Sequence, residues 1–127
     1  MGATYRKGSR AERELINFFY SKGFSVIRAA GSGVSSLSPD ILVFRKGKNY
    51  AIESKAWETE YLHIKKDQFL GLRGWEENTG ITCYIAWRRS REPWYFIPLS
   101  VFEENKASFA FPWEKAKLIG RKLEDLI

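Results

Sequence analysis

The sequence predicts an α/β protein with a mixed β-sheet flanked by helices. Three observations carry that expectation. An amphipathic helical pattern comes first, two short apolar runs then meet around Gly47-Lys48-Asn49 like a hairpin, and a helix–strand–strand–helix succession follows. The chain has 127 residues, 44% hydrophobic and 16% aromatic, enough to bury an ordinary core, and it reads as a single domain over residues 1–127.

Residues 9–22 place Ala11, Leu15, Ile16, Phe18 and Phe19 at spacings of three and four among charged residues, the stripe of a core-facing helix, which Gly23 ends. Residues 24–30 read as a strand leading into the loop Gly31-Ser32-Gly33-Val34-Ser35-Ser36. Pro39 opens a strand over 40–44, and the glycine turn joins it to a strand over 50–56 as an antiparallel hairpin. Residues 58–64 read as a mixed loop, and 65–78 as a helix despite Gly71 and Gly74, with its exit at Thr79-Gly80. Strands over 81–87 and 94–99 flank the basic turn Arg88-Arg89-Ser90-Arg91-Glu92-Pro93, and residues 114–127 form a final helix. The expected order is α-β-β-β-α-β-β-α, α/β or α+β in class.

The 21 Lys and Arg against 15 Asp and Glu leave a formal charge of +6, which favours polyanionic partners and nucleic acid first among them; a protein basic by chance is the alternative. Cys83, in the run Ile81-Thr82-Cys83-Tyr84-Ile85, is the single cysteine, so disulfide and cysteine–zinc scaffolds are excluded. The first residues have no apolar core of signal-peptide length, and no run approaches the ~18 apolar residues of a membrane span. The expectation is a soluble, cytoplasmic, nucleoid-associated protein with no membrane partner.

The most informative span is Ser38-Pro39-Asp40-Ile41-Leu42-Val43-Phe44 followed by Asn49-Tyr50-Ala51-Ile52-Glu53-Ser54-Lys55. Strand side chains alternate, so Glu53 and Lys55 share a face while Ile52 and Ser54 take the other, and hairpin pairing brings Asp40 alongside. A carboxylate near an apolar sheet is unfavourable unless paired or bound to metal. Mg²⁺, with Mn²⁺ as a substitute, suits two carboxylates completed by water and substrate phosphate, without a His or Cys cluster; His63, the sole histidine, is dispensable to it. Lys55 would then orient the nucleophile and stabilise developing charge. The competing reading is a plain cross-strand ion pair between Lys55 and one acid.

Pro39-Asp40 followed after a hairpin by Glu53-Ser54-Lys55 resembles the PD-(D/E)xK nuclease signature. Together with Lys7-Gly8-Ser9-Arg10-Ala11-Glu12-Arg13-Glu14-Leu15-Ile16 and Val26-Ile27-Arg28-Ala29-Ala30-Gly31-Ser32-Gly33, it resembles, in order, the archaeal Holliday junction resolvases, most strongly over residues 5–56. The resemblance implies a restriction-endonuclease-like fold, a homodimer and Mg²⁺-dependent paired nicking of four-way DNA junctions. It implies metal-site roles for Asp40 and Glu53, a catalytic role for Lys55 and a supporting acidic, metal-site role for Glu12. Arg13, Arg28 and Ser32 would assist near the scissile phosphate. Ser54 stands where the family often has an aliphatic residue, on the face turned away from the site.

Other residues carry two readings each. Ser9-Arg10-Ala11-Glu12 is also a capping box, in which Glu12 would serve a helix start instead of a metal. Ser32 lies between glycines, as serines of plain turns often do, and Arg28 is a strand-end cation. Arg6, Lys7, Arg10 and Arg13, with Lys65 and Lys66 and the basic turn 88–91, form a candidate DNA track, and Gln68 falls near it by its position after the signature. Trp94-Tyr95-Phe96-Ile97 with Phe109, Phe111 and Trp113 are either a large core or a self-complementary dimer patch. The runner-up functions are a nuclease of the same chemistry aimed at other repair or restriction DNA, and a non-catalytic module for branched DNA.

Overall fold

The computed structural model describes residues 2–29 and 38–127, with the side chains of the first helix from Lys7 onward. The first helix, α1, runs Gly2–Ser21 and buries Ala11, Leu15 and Phe19, one residue per turn along one stripe. It ends in a Schellman motif: Phe24 N–H donates to Phe19 O and Gly23 N–H to Tyr20 O, with Gly23 at φ 89°. The start lies well before residue 9, so Ser9 is interior to the helix and the capping box is overturned.

Strands β1 (Ser25–Arg28), β2 (Ile41–Arg45) and β3 (Lys48–Lys55) form an antiparallel meander. The β2–β3 hairpin turns at Gly47, whose φ of 85° favours glycine. The register pairs Ile41 with Ile52, and one step beyond it Asp40 lies opposite Glu53. After α2 (Lys66–Thr79), stopped by left-handed Gly80 as expected, β5 (Thr82–Trp87) adds parallel to β3 and β6 (Tyr95–Pro98) adds antiparallel at the edge. The five-stranded sheet is ordered β1-β2-β3-β5-β6. It is the mixed sheet flanked by helices that the sequence predicts.

Two stretches differ from expectation. The segment read as a mixed loop contains β4 (Tyr61–Lys65), which with β7 (Glu103–Glu104) and β8 (Ser108–Pro112) builds a separate three-stranded sheet in the order β4-β8-β7. The final helix is broken into α3 (Trp113–Ile119) and α4 (Leu123–Leu126). Between them Arg121 makes a two-way backbone bridge to Phe96, and at Gly120 a Cβ would come within 2.6 Å of Ala116 O and 2.9 Å of Tyr95 Cβ.

Strand alternation supplies a core to each side of the main sheet. Ile41, Val43, Ile52, Tyr84, Ala86 and Phe96 face α1 and Leu126 of α4. Ala51, Cys83, Ile85, Trp87, Tyr95 and Ile97 face α2, α3 and the small sheet, where the rings of Phe69 and Phe109 stack at 4.0 Å. Burying each of the large aliphatic or phenylalanine side chains contributes about 1.5–3 kcal/mol. The aromatics weighed as a dimer patch all lie inside: Trp94, Tyr95, Phe96, Ile97, Phe109, Phe111 and Trp113 are buried within the chain. The large-core reading holds for them, because a sheet covered on both faces needs two sets of apolar side chains. Among the described residues, no helix is long and apolar enough to cross a membrane.

Candidate active site

Glu53 and Lys55 project from β3 on the same face as Ala51, toward α2, and the Lys55 Nζ lies 3.6 Å from Glu53 Oε2. Asp40 sits at the mouth of β2 after buried Pro39, and its Oδ2 accepts a 3.0 Å hydrogen bond from Ser54 N–H. Gln68, one turn into α2, donates from Nε2 to Glu53 Oε2 at 2.9 Å. Lys55 is capped from outside by the Trp57 ring, 5.0 Å from Nζ. The three residues singled out in the signature therefore meet in one place.

The two carboxyls resist ionising together. Burial pushes Glu53, only 5% exposed, up to about 7, and the negative charge of Asp40 adds to that, while Lys55 pulls the other way. Burial also raises Asp40; the Ser54 N–H opposes it, Glu12 reinforces it, and Lys55 and Arg28 oppose it. These influences place Glu12 and Arg28 within electrostatic reach of Asp40, although α1 covers the other face of the sheet.

Glu12 spends its carboxylate on an ion pair with Arg28 Nε. With Ser9, Arg13 and Ile16, this pair lines a hollow of about 260 Å³ beside the mouth of β2. Among the described residues no cluster of three acids, His or Cys forms a ready metal cage; Glu12 reaches Asp40 through its charge while its carboxylate is engaged by Arg28. Glu53 points toward α2, whereas α1 packs against the Ile52 side. Asp40 and Glu53 by themselves fit a hard cation. They are oxygen donors on facing positions, and their burial and mutual repulsion raise both carboxyls in a way that a bound positive charge would relieve.

Lys7 and Arg10 lie along a second flank of α1, bordering the basic turn 88–91. Lys65 is exposed at the end of β4, and Lys66 pairs with Glu104 of the small sheet at 3.1 Å; neither contacts the carboxylates. Ser32 and the side chain of Arg6 lie outside the described residues. The Trp57 cap over Lys55 went unread in the sequence, where its only signal was an aromatic two positions past the signature lysine. Gln68, expected near DNA, also donates its amide to Glu53 within the site.

The family model of the archaeal Holliday junction resolvases, Hjc, matches residues 3–127. A crossover junction endodeoxyribonuclease Hjc from Archaeoglobus fulgidus is 34% identical over 104 residues, covering 81% of this chain and 76% of the relative. Its counterpart from Methanocaldococcus jannaschii is 33% identical over 134 residues and covers 97% of each chain. The solved structure of the A. fulgidus Hjc, a Holliday junction resolvase, superposes with a TM-score of 0.82 at 28% identity, over 94% of this chain and 93% of that one. A bacterial homing endonuclease superposes with a TM-score of 0.52 at 17% identity, over 88% and 77% of the two chains, a likeness of fold alone.

Proposed function

This chain belongs to the archaeal Holliday junction resolvase family, and from that premise we propose that it is a structure-specific endonuclease that resolves four-way DNA junctions as a Mg²⁺-dependent homodimer, Mn²⁺ serving in its place. The observation that carries the reading is the meeting of Asp40, Glu53 and Lys55 on one sheet face. A non-catalytic DNA module would gain nothing from two carboxyls whose burial raises both.

Asp40 and Glu53 would hold the cation, which when bound polarises a phosphoryl oxygen and acidifies a water. Ser54 N–H fixes one rotamer of Asp40, and the Gln68 amide fixes Glu53, so neither carboxylate must reorganise when DNA arrives. Lys55, held between Glu53 and Trp57, presents its ammonium to the attacking water and to the charge that grows on the phosphate. Arg28, steadied by Glu12 and beside Arg13, lies where a phosphate entering the hollow by β2 would be met. Junction shape, rather than base edges, would set the cutting point, and two subunits would give the two matching nicks. The dimer uses surfaces other than the Trp94–Ile97 strand, which is core.

The test is a labelled synthetic four-way junction beside a linear duplex of the same sequence, each incubated with and without Mg²⁺. Paired nicks in the junction alone, dependent on Mg²⁺ and abolished in Asp40→Asn and Lys55→Ala while both variants still bind it, are the expected result. Equal cutting of the duplex would redirect the nuclease to another substrate, and full cutting by Asp40→Asn would end the mechanism. Sedimentation at micromolar concentration reads the subunit count.

A further inference from the structure

The basic turn 88–91 belongs to a second hollow, of about 510 Å³, lined by Lys7, Arg10, Ala11, Arg88, Arg89, Ser90 and Arg91. It adjoins the active site through the backbone: Arg88 N–H donates to Lys55 O at 3.0 Å, so the turn begins where the strand carrying the lysine ends. Arg88 is held by Glu14 at 2.6 Å and lies over the Trp94 ring, and Arg89 lies over the Trp113 ring. Arg10 and Arg91 have no acidic partner within salt-bridge distance among the described residues. At Arg91 φ is 65°, the one positive value at a non-glycine residue among those described, a conformation that bends the turn around Ser90.

The occupant of these donors is internal. Glu58 Oε2 accepts from Ser90 N–H and from Ser90 Oγ, each at 2.9 Å, and pairs with Lys7 Nζ. A backbone amide, a hydroxyl and an ammonium converging on a single oxygen are the donor set of a phosphate site. The carboxylate and its Lys7 partner are both exposed, so water screens the pair and little holds it against a competing anion.

We propose that the Ser90 and Lys7 donors at this hollow are a seat for a DNA backbone phosphate next to the scissile one, engaged in the free protein by the Glu58 carboxylate, which the phosphodiester displaces on binding. The seat rests on the nuclease reading above for its ligand, but it needs neither the cation nor the chemistry. It adds a contact on the far side of Lys55 from Arg28, so a strand crossing the site would be gripped on both sides of the bond that breaks.

Binding of a labelled four-way junction to the whole chain, in EDTA across a salt series, tests the seat. Glu58→Gln removes the resident anion and should tighten binding about fivefold at low salt. Glu124→Gln, the same charge change on α4, should not match that gain. Arg91→Gly keeps the left-handed turn and should lower the slope of log affinity against log salt by about 0.9, the loss of one phosphate contact. Equal gains in Glu58→Gln and Glu124→Gln, or an unchanged slope in Arg91→Gly, overturn the seat. Parallel Mg²⁺ cleavage assays of the wild type separate the two ideas: cleavage with those failed signatures sinks the seat alone, and absence of cleavage sinks the resolvase reading.

Discussion

Replacing Glu53 by glutamine should make the metal-free protein more stable in neutral and basic solution. The Glu53 carboxyl rises from 4.5 to about 7 on folding, and that net value already includes the attraction of Lys55. The folded state therefore holds a proton that the unfolded chain has released between those two values. Across that window stability falls as pH rises, and above about pH 7 the folded protein carries the whole penalty of ionising Glu53. At 1.36 kcal/mol per pH unit, a rise of about 2.5 units corresponds to about 3 kcal/mol. Glutamine keeps the shape and an acceptor for Gln68 but never ionises. Urea denaturation in EDTA should show Glu53→Gln ahead of wild type by about 3 kcal/mol at pH 8, a midpoint shift of roughly 1.5 M for a slope of about 2 kcal/mol/M, and level with it at pH 4. Mg²⁺ should then stabilise the wild type at pH 8, by about 2.7 kcal/mol at a hundred times its dissociation constant, and leave the variant unchanged. A variant that loses stability at pH 8, or differs from wild type equally at both pH values, would refute the account of a buried, reluctant carboxylate.

The same ionisation should appear in catalysis. At subsaturating Mg²⁺, cleavage by the wild type should fall on the acid side, because a proton on the Glu53 carboxyl, favoured in the metal-free protein by burial and by Asp40, competes with the ion. Gln68→Leu removes an N–H donor that favours the charged form, so the midpoint should move up with the high-pH plateau retained. An unmoved midpoint in single-turnover rates over pH 6–9 would remove Gln68 from the site's electrostatics. Glu12→Gln removes the Glu12–Arg28 ion pair, and it should slow single-turnover cleavage while shifting the melting temperature little, because a partly exposed pair contributes about 0–1 kcal/mol and no cap is lost. Lowered melting with an unchanged rate would return Glu12 to a purely structural role.

The site was more legible than its surroundings because its signals are local. Gly47 marks the turn, alternation assigns Glu53 and Lys55 to one face, and hairpin pairing delivers Asp40, all within a short stretch. The misread elements are decided at long range. Leu62 and Ile64 alternate with polar neighbours in β4, but the charged residues around them mask a strand that exists only because β8 pairs with it, Ile64 against Phe109. Residues 114–127 carry one local stop signal, Gly120, which the expected helix reads through, and the break there is fixed by a backbone bridge from Arg121 to Phe96 that no window of local sequence contains. Apolar composition likewise records how much surface must be buried, not whether the partner is the same chain.

Asp40 is where acidic and basic residues from opposite faces of the sheet come within electrostatic reach of one another. A residue within a strand can belong to one face only, as Glu53 and Ile52 do. Asp40 stands at the end of the ladder, where its carbonyl still accepts from Ala29 N–H at 2.8 Å and its carboxylate takes the Ser54 N–H, and it responds both to Lys55 and to Glu12 and Arg28. That position would let Glu12 of α1 and Arg28 of β1, with the hollow beside them, act next to the site without crossing the apolar core. It also accounts for Pro39: a residue with a fixed φ and no N–H, buried immediately before Asp40, stops the ladder there and holds the acid at its end.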